Sequence, residues 1–71
     1  MSYLEGKPMS QRNIMRQIYR RHRGRDDDAI ISEYANAERQ GLVQRINNEH
    51  NLSPEDYARR LLADGRRRGW L

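Results

Sequence analysis

The chain is short, basic and free of cysteine. It has 71 residues and a net charge of +4, and all but one of its 14 basic residues are arginine. The absence of cysteine excludes disulfides, thiol catalysis and thiolate metal sites, and no run of 18 apolar residues suggests a membrane span. We therefore expect one small soluble domain in the cytoplasm, with no membrane partner.

Charge is distributed along the chain in three blocks. Residues 1–25 carry seven bases and one acid, residues 26–38 carry five acids and no base, and residues 39–71 carry seven bases and four acids. The blocks could neutralise one another inside the fold. Alternatively, the basic parts face a polyanion, because the planar arginine fork matches phosphate.

The first nine residues show no periodic pattern, so we interpret 1–9 as a flexible N-terminal arm and 10–71 as a single helical domain. Ser10 is a typical helix N-cap, and Gly24 can end the helix. The spacing predicts a helix from about Gln11 to His22. Its apolar stripe consists of Ile14, Met15, Ile18, Tyr19 and His22.

A second stripe on this helix is basic: Arg12, Arg16, Arg20 and Arg23 fall on one adjacent face. Like charges at i, i+4 spacing repel one another. Either the acidic block that follows or an external anion must therefore offset them.

The acidic block begins the second predicted helix. Asp26-Asp27-Asp28 supplies a cap and first-turn acids for a helix from about Asp28 to Gln40. Gly41 and Leu42 then match the end of a Schellman motif. The residues predicted to face inward are Ile30, Ile31, Tyr34 and Ala37, with Ala35 beside them.

The third segment contains the clearest local signals. Leu42, Val43, Ile46 and His50 share one helical face, which favours a helix from about Leu42 to His50. Asn51 then stands where the chain must turn, and Asn tolerates positive φ. Ser53-Pro54-Glu55-Asp56 is a strong helix start, and Gly65 predicts that this last helix ends near Asp64.

Helix, turn and capped helix together resemble the helix-turn-helix family, through Ile46, Asn51-Leu52-Ser53-Pro54, Tyr57 and Leu61. The resemblance covers residues 42–62. It implies DNA binding, with the second helix entering the major groove. An ordinary helical hairpin in a small bundle fits the same pattern.

The predicted fold is all-α, a small bundle of three to four short helices with a helix-turn-helix-like hairpin. Trp70 and Leu71 are apolar and should fold back on the core. The predicted core consists of Ile14, Ile18, Ile30, Tyr34, Val43, Ile46, Tyr57, Leu61, Leu62 and Trp70.

Catalysis has little support in the sequence. The three aspartates fit a helix cap better than a Mg²⁺ site, because successive residues point in different directions. His22 and His50 lack a second ligand at metal spacing and each ends an apolar stripe. We therefore expect no enzymatic activity, no metal and no cofactor.

Nucleic-acid binding is the favoured function, with DNA favoured over RNA, in a bacterial or phage regulatory or accessory protein. Phosphate contacts would come from two arginine sets. The first-helix set is Arg12, Arg16 and Arg20, and the C-terminal set is Arg59, Arg60, Arg66, Arg67 and Arg68. The alternatives are a protein-interaction or inhibitor module, or a terminal helical domain of a larger nucleic-acid enzyme.

The C-terminal set is predicted to make the primary contact. Antiparallel packing of the first two helices would bring the acidic block close to the first helix. Its arginines would then be partly neutralised within the fold, by Asp28, Glu33 and Glu38. Arginines after Leu62 have only Asp64 nearby in the sequence and should remain free.

Overall fold

The computed structural model describes residues 9–44 and 51–71, and its architecture is the predicted all-α bundle. No helix in these residues is both long and apolar enough to cross a membrane. The elements in chain order are β1 (Met9–Ser10), α1 (Gln11–Arg21), α2 (Asp27–Arg39), β2 (Val43–Gln44) and α3 (Pro54–Arg68).

Each helix starts at a predicted cap. The side chains of Ser10 and Ser53 accept hydrogen bonds from the backbone N–H groups three residues later. Asp26 does the same for α2 at 3.3 Å, so this helix begins at Asp27, one residue earlier than predicted. These bonds satisfy backbone donors that the first turn of a helix leaves unpaired.

The end of α2 is the predicted Schellman motif. Gly41 has φ 79°, its N–H donates to Glu38 O at 3.0 Å, and the N–H of Leu42 donates to Ala37 O at 2.9 Å. The end of α1 repeats this bonding pattern. There the left-handed residue is Arg23, with φ 56°, followed by Gly24 with φ 69°.

The predicted helix at Leu42–His50 is wrong over its first three residues. Leu42 lies in a bend, and Val43–Gln44 pairs in parallel with Met9–Ser10. Gly41 reverses the chain, and the buried, β-branched Val43 fits an extended strand. The predictions for Ile46 and His50 fall outside the described residues, as do residues 1–8 of the predicted arm.

The predicted end of the last helix is also wrong, because α3 continues to Arg68 and is capped by Gly69 at φ 83°. Arginine is a good helix former and is favoured near the negative C-terminal end of a helix. Gly65 is therefore inside the helix, where it is buried.

Gly65 lets the C-terminus fold back, as predicted for Trp70 and Leu71. Its carbonyl accepts from the N–H groups of Gly69 at 2.8 Å and Trp70 at 3.1 Å. A Cβ at this position would lie only 2.6 Å from Leu71 Cγ. Trp70 and Leu71 pack against the core while remaining partly exposed.

The core lies between the three helices. Tyr34, Met15 and Ile30 are its largest fully buried side chains, and the rings of Tyr34 and Tyr57 join α2 to α3 at 6.2 Å. Of the predicted core residues, Ile14, Ile18, Ile30, Tyr34, Val43 and Leu62 are buried, and Tyr57, Leu61 and Trp70 are half-buried.

Candidate nucleic-acid interface

The α1 stripe consists of Arg12, Arg16 and Arg20 of α1 and of Arg23 just past its end. It is the basic surface with the fewest carboxylate partners among the described residues. Arg12, Arg20 and Arg23 are exposed, and Arg16 is half-buried. Within residues 9–44 and 51–71, no carboxylate lies at ion-pair distance from any of the four. The predicted neutralisation by Asp28, Glu33 and Glu38 is therefore wrong for the described part of the chain.

The acidic block contacts other residues instead. Glu33 pairs with Arg21 and with His22 Nε2, the latter at 2.8 Å. Asp27 pairs with Arg66 of α3. Arg21 is one residue away from Arg20, which is about 100° around the helix, so it presents its charge to α2 while the α1 stripe points elsewhere.

In the C-terminal set, the arginines predicted to be free mostly have partners on their own helix. Arg59 pairs with Asp56 at 2.8 Å, while Arg67 and Arg68 pair with Asp64 at 3.2 and 2.8 Å. Arg60 is exposed and has no carboxylate partner in the described residues. Exposed pairs contribute about 0–1 kcal/mol, so these arginines can exchange a carboxylate for a phosphate.

Arg66 of this set has a structural role. Its two terminal guanidinium nitrogens donate to the Asp27 carboxylate at 2.9 and 2.8 Å, and one of them also donates to Gly24 O at 3.3 Å. Its guanidinium also lies 5.5 Å from the centre of the Tyr19 ring. The hydrogen bond from Arg66 lowers the pKa of Asp27. Arg66 thus holds α3 against the α1–α2 connection.

The N-terminal end of α3 is acidic, although the helix-turn-helix resemblance implies that this end enters the DNA groove. Glu55 accepts two hydrogen bonds from Arg39, at 2.7 and 2.8 Å, and these bonds lower the pKa of Glu55. Asp56 is paired with Arg59. In the turn before α3, Asn51 has φ 51°, which confirms the predicted positive φ.

Two arginines of the α1 stripe contact Trp70. Arg16 Nε donates to Trp70 O at 3.2 Å, and the Arg12 guanidinium lies 5.2 Å from the centre of the Trp70 ring. Trp70 follows Arg67 and Arg68 in the chain, with Gly69 between them and Trp70. The sequence indicated that Trp70 packs inward, but no local signal connects it to residues 54 or more positions away.

Groups of three or more His, Asp or Glu side chains that could hold a metal ion are absent from the described residues. Comparisons with protein-family models, curated proteins and solved structures find no match to this chain. The chemistry of its surface is therefore the basis for a functional proposal.

Proposed function

We propose that the protein is a nucleic-acid-binding module that contacts phosphates through the α1 stripe, with DNA favoured over RNA. The observation that carries this proposal is the absence of carboxylate partners for Arg12, Arg16, Arg20 and Arg23 in the described residues. Arg12, Arg16 and Arg20 repel one another along one face of α1, Arg23 lies just past its end, and the described acids of residues 26–38 pair with none of them. A polyanion would offset this repulsion.

Two members of the α1 stripe lie at positions where arginine is unfavourable for the stability of the fold. Arg12 is in the first turn of α1, which contains no acid, although a positive charge at this end is unfavourable by about 0.3–1 kcal/mol. Arg23 adopts φ 56°, which a residue with a side chain adopts at a cost of about 1 kcal/mol or more. The strain at Arg23 supports a role for its charge outside the fold, while Arg12 also packs over the Trp70 ring.

The stripe geometry suits backbone contact without base recognition. Residues at i, i+4 rise about 6 Å along a helix, so Arg12, Arg16 and Arg20 extend about 12 Å along α1, and Arg23 lies just past the end of that helix. Arginines in such a row neutralise phosphates and release counterions, which gives binding that depends on salt more than on sequence.

The helix-turn-helix resemblance suggests a different geometry, with α3 in the major groove. That placement would bring Glu55 and Asp56 close to phosphate, which is electrostatically unfavourable. We therefore assign Arg59, Arg60, Arg67 and Arg68 a supporting phosphate contact, and Arg66 a structural role.

Fluorescence anisotropy tests the proposal with labelled duplex DNA, single-stranded DNA and RNA. Four phosphate contacts predict a slope of log affinity against log salt near about −3.6, hence a loss of about 150-fold between about 50 and about 200 mM salt. Affinity that ignores salt would contradict phosphate binding. Absence of binding to all three would favour a protein partner instead.

A further inference from the structure

We propose that Trp70 and Arg12 form a stacking platform for an unpaired nucleobase, so that single-stranded nucleic acid is the preferred ligand of this surface. This inference rests on the proposed function and adds the ligand class to it. The observation behind it is that the Arg12 guanidinium lies over the ring of Trp70, a partly exposed residue whose carbonyl also binds Arg16.

Trp70 is held in a defined position although it is near the end of the chain. Its backbone N–H donates to Gly65 O at 3.1 Å, and its backbone carbonyl accepts from Arg16 Nε at 3.2 Å. A Cβ on Gly65 would lie 3.2 Å from the edge of the Trp70 ring. The indole is therefore preorganised, which lowers the entropy lost on stacking.

The contact between Arg12 and Trp70 suits base recognition. Arg12 is exposed, and its guanidinium is 5.2 Å from the ring centre. Bases stack both on arginine planes and on aromatic rings. An incoming base can therefore stack on Arg12, or replace Arg12 on the indole while the arginine moves to a phosphate.

Arginines of α1 and of the last turn of α3 can serve as phosphate partners for a strand at this platform. The α1 stripe continues from Arg12 through Arg16 and Arg20, and Arg67 and Arg68 precede Trp70 in the chain. The Asp64 carboxylate nearby is already paired with these last two arginines, at 3.2 and 2.8 Å. A strand that passes between the two arginine sets would place a base over Trp70.

The test compares a short oligothymidine with an oligonucleotide of the same length in which every base is removed, so that the phosphates remain. Trp70 is the only tryptophan, so intrinsic fluorescence reports this residue alone. We expect the oligothymidine to bind between about 5-fold and about 150-fold more tightly per stacked base. It should also quench the tryptophan emission, while the abasic strand should not.

A pair of variants separates stacking from charge. Trp70→Leu keeps an apolar side chain and should remove the preference for the base-containing strand, whereas Arg20→Gln should weaken both strands and keep the preference. Equal affinity for the two strands in the unmodified protein, with unchanged emission, would overturn the stacking platform and leave phosphate binding intact. If neither strand binds, the proposed function itself fails.

Discussion

At the scale of single residues, positive φ connects the sequence both to stability and to function. Arg23 and Asn51 each adopt a left-handed conformation, at φ 56° and 51°. Asparagine is one of the few residues with a side chain that tolerates it well, whereas arginine is not. Asn51 is therefore well suited to its turn, whereas Arg23 is strained in the helix stop that it forms at the end of α1.

For Asn51 we predict that replacement by glycine is neutral or slightly stabilising. Replacement by valine should lower the free energy of unfolding by about 1–2 kcal/mol, because a β-branched side chain is disfavoured at positive φ. Urea unfolding followed by circular dichroism measures both. Equal stability of the two variants would show that the turn does not depend on this conformation.

For Arg23 we predict opposite effects on stability and binding. Arg23→Gly should raise the free energy of unfolding by about 1 kcal/mol, because glycine adopts the left-handed conformation without strain. It should also weaken binding to nucleic acid and reduce the salt slope by about 0.9. Arg21→Gln is the matched control, since Arg21 already pairs with Glu33, and its salt slope should not change.

The limits of sequence reasoning are clear at this scale. The caps at Ser10, Asp26 and Ser53 were predictable, because a cap depends on residues only three positions apart. The ion pair between Asp27 and Arg66 was not, since it joins residues 39 positions apart and depends on how α3 packs against the α1–α2 connection. Because of this long-range pair, Arg66 was wrongly predicted to remain free for phosphate.

At the scale of elements, the end of α3 illustrates two roles for glycine. Gly65 and Gly69 are four residues apart, and the sequence analysis predicted that the helix ends at the first of them. Packing decides between them: Gly69 takes the left-handed cap at φ 83°, and Gly65 leaves room for Leu71 and Trp70. A helix end can thus be placed only when the contacts of each glycine are known.

A double-mutant cycle tests this division of roles. In a chain shortened by Trp70 and Leu71, Gly65→Ala should stabilise the protein by up to about 1 kcal/mol, because alanine is the better helix former. In the full chain that gain should disappear or reverse, since the new methyl group displaces Leu71. The same stabilisation in both backgrounds would contradict the close packing.

The shortened chain is itself informative. Removing the two residues should lower the melting temperature by several degrees, given that about 1 kcal/mol shifts a small domain by about 4–8 °C. Tryptophan emission typical of full exposure to water in the intact folded protein would contradict the packing of Trp70 on the core.

The β2 strand shows why one element was mispredicted. Leu42, Val43 and Ile46 fit a helical face, but Val43 pairs with Met9, which lies 34 residues earlier in the chain. A two-residue strand has no periodic pattern of its own. It forms because Gly41 turns the chain towards the start of α1, and nothing local to residues 42–44 reveals that partner.

At the scale of the whole molecule, helix packing sorts the charges. The acidic block of residues 26–38 contacts Arg21, His22 and Arg66, so the α1 stripe is left without carboxylate partners among the described residues. Composition and block charges predicted that some arginines would face a polyanion. The choice of surface depends on which side of α1 the other helices cover.

The most direct test of the central claim is the salt slope of two triple variants that remove the same charge. One variant replaces Arg12, Arg20 and Arg23 of the α1 stripe with glutamine, and the other replaces Arg59, Arg67 and Arg68 of α3. Affinity for a labelled oligonucleotide is measured across a series of salt concentrations. Each variant's free energy of unfolding is measured alongside, so that lost binding is not lost folding.

The α1 variant should bind more weakly and lose up to about three units of slope, near 0.9 for each phosphate contact removed. The α3 variant should lose less binding, because its arginines must give up a carboxylate partner before they can bind a phosphate. Each of them therefore contributes less to the affinity. A result in which the α3 variant loses the slope and the α1 variant keeps it would contradict the assignment of the α1 stripe as the binding surface.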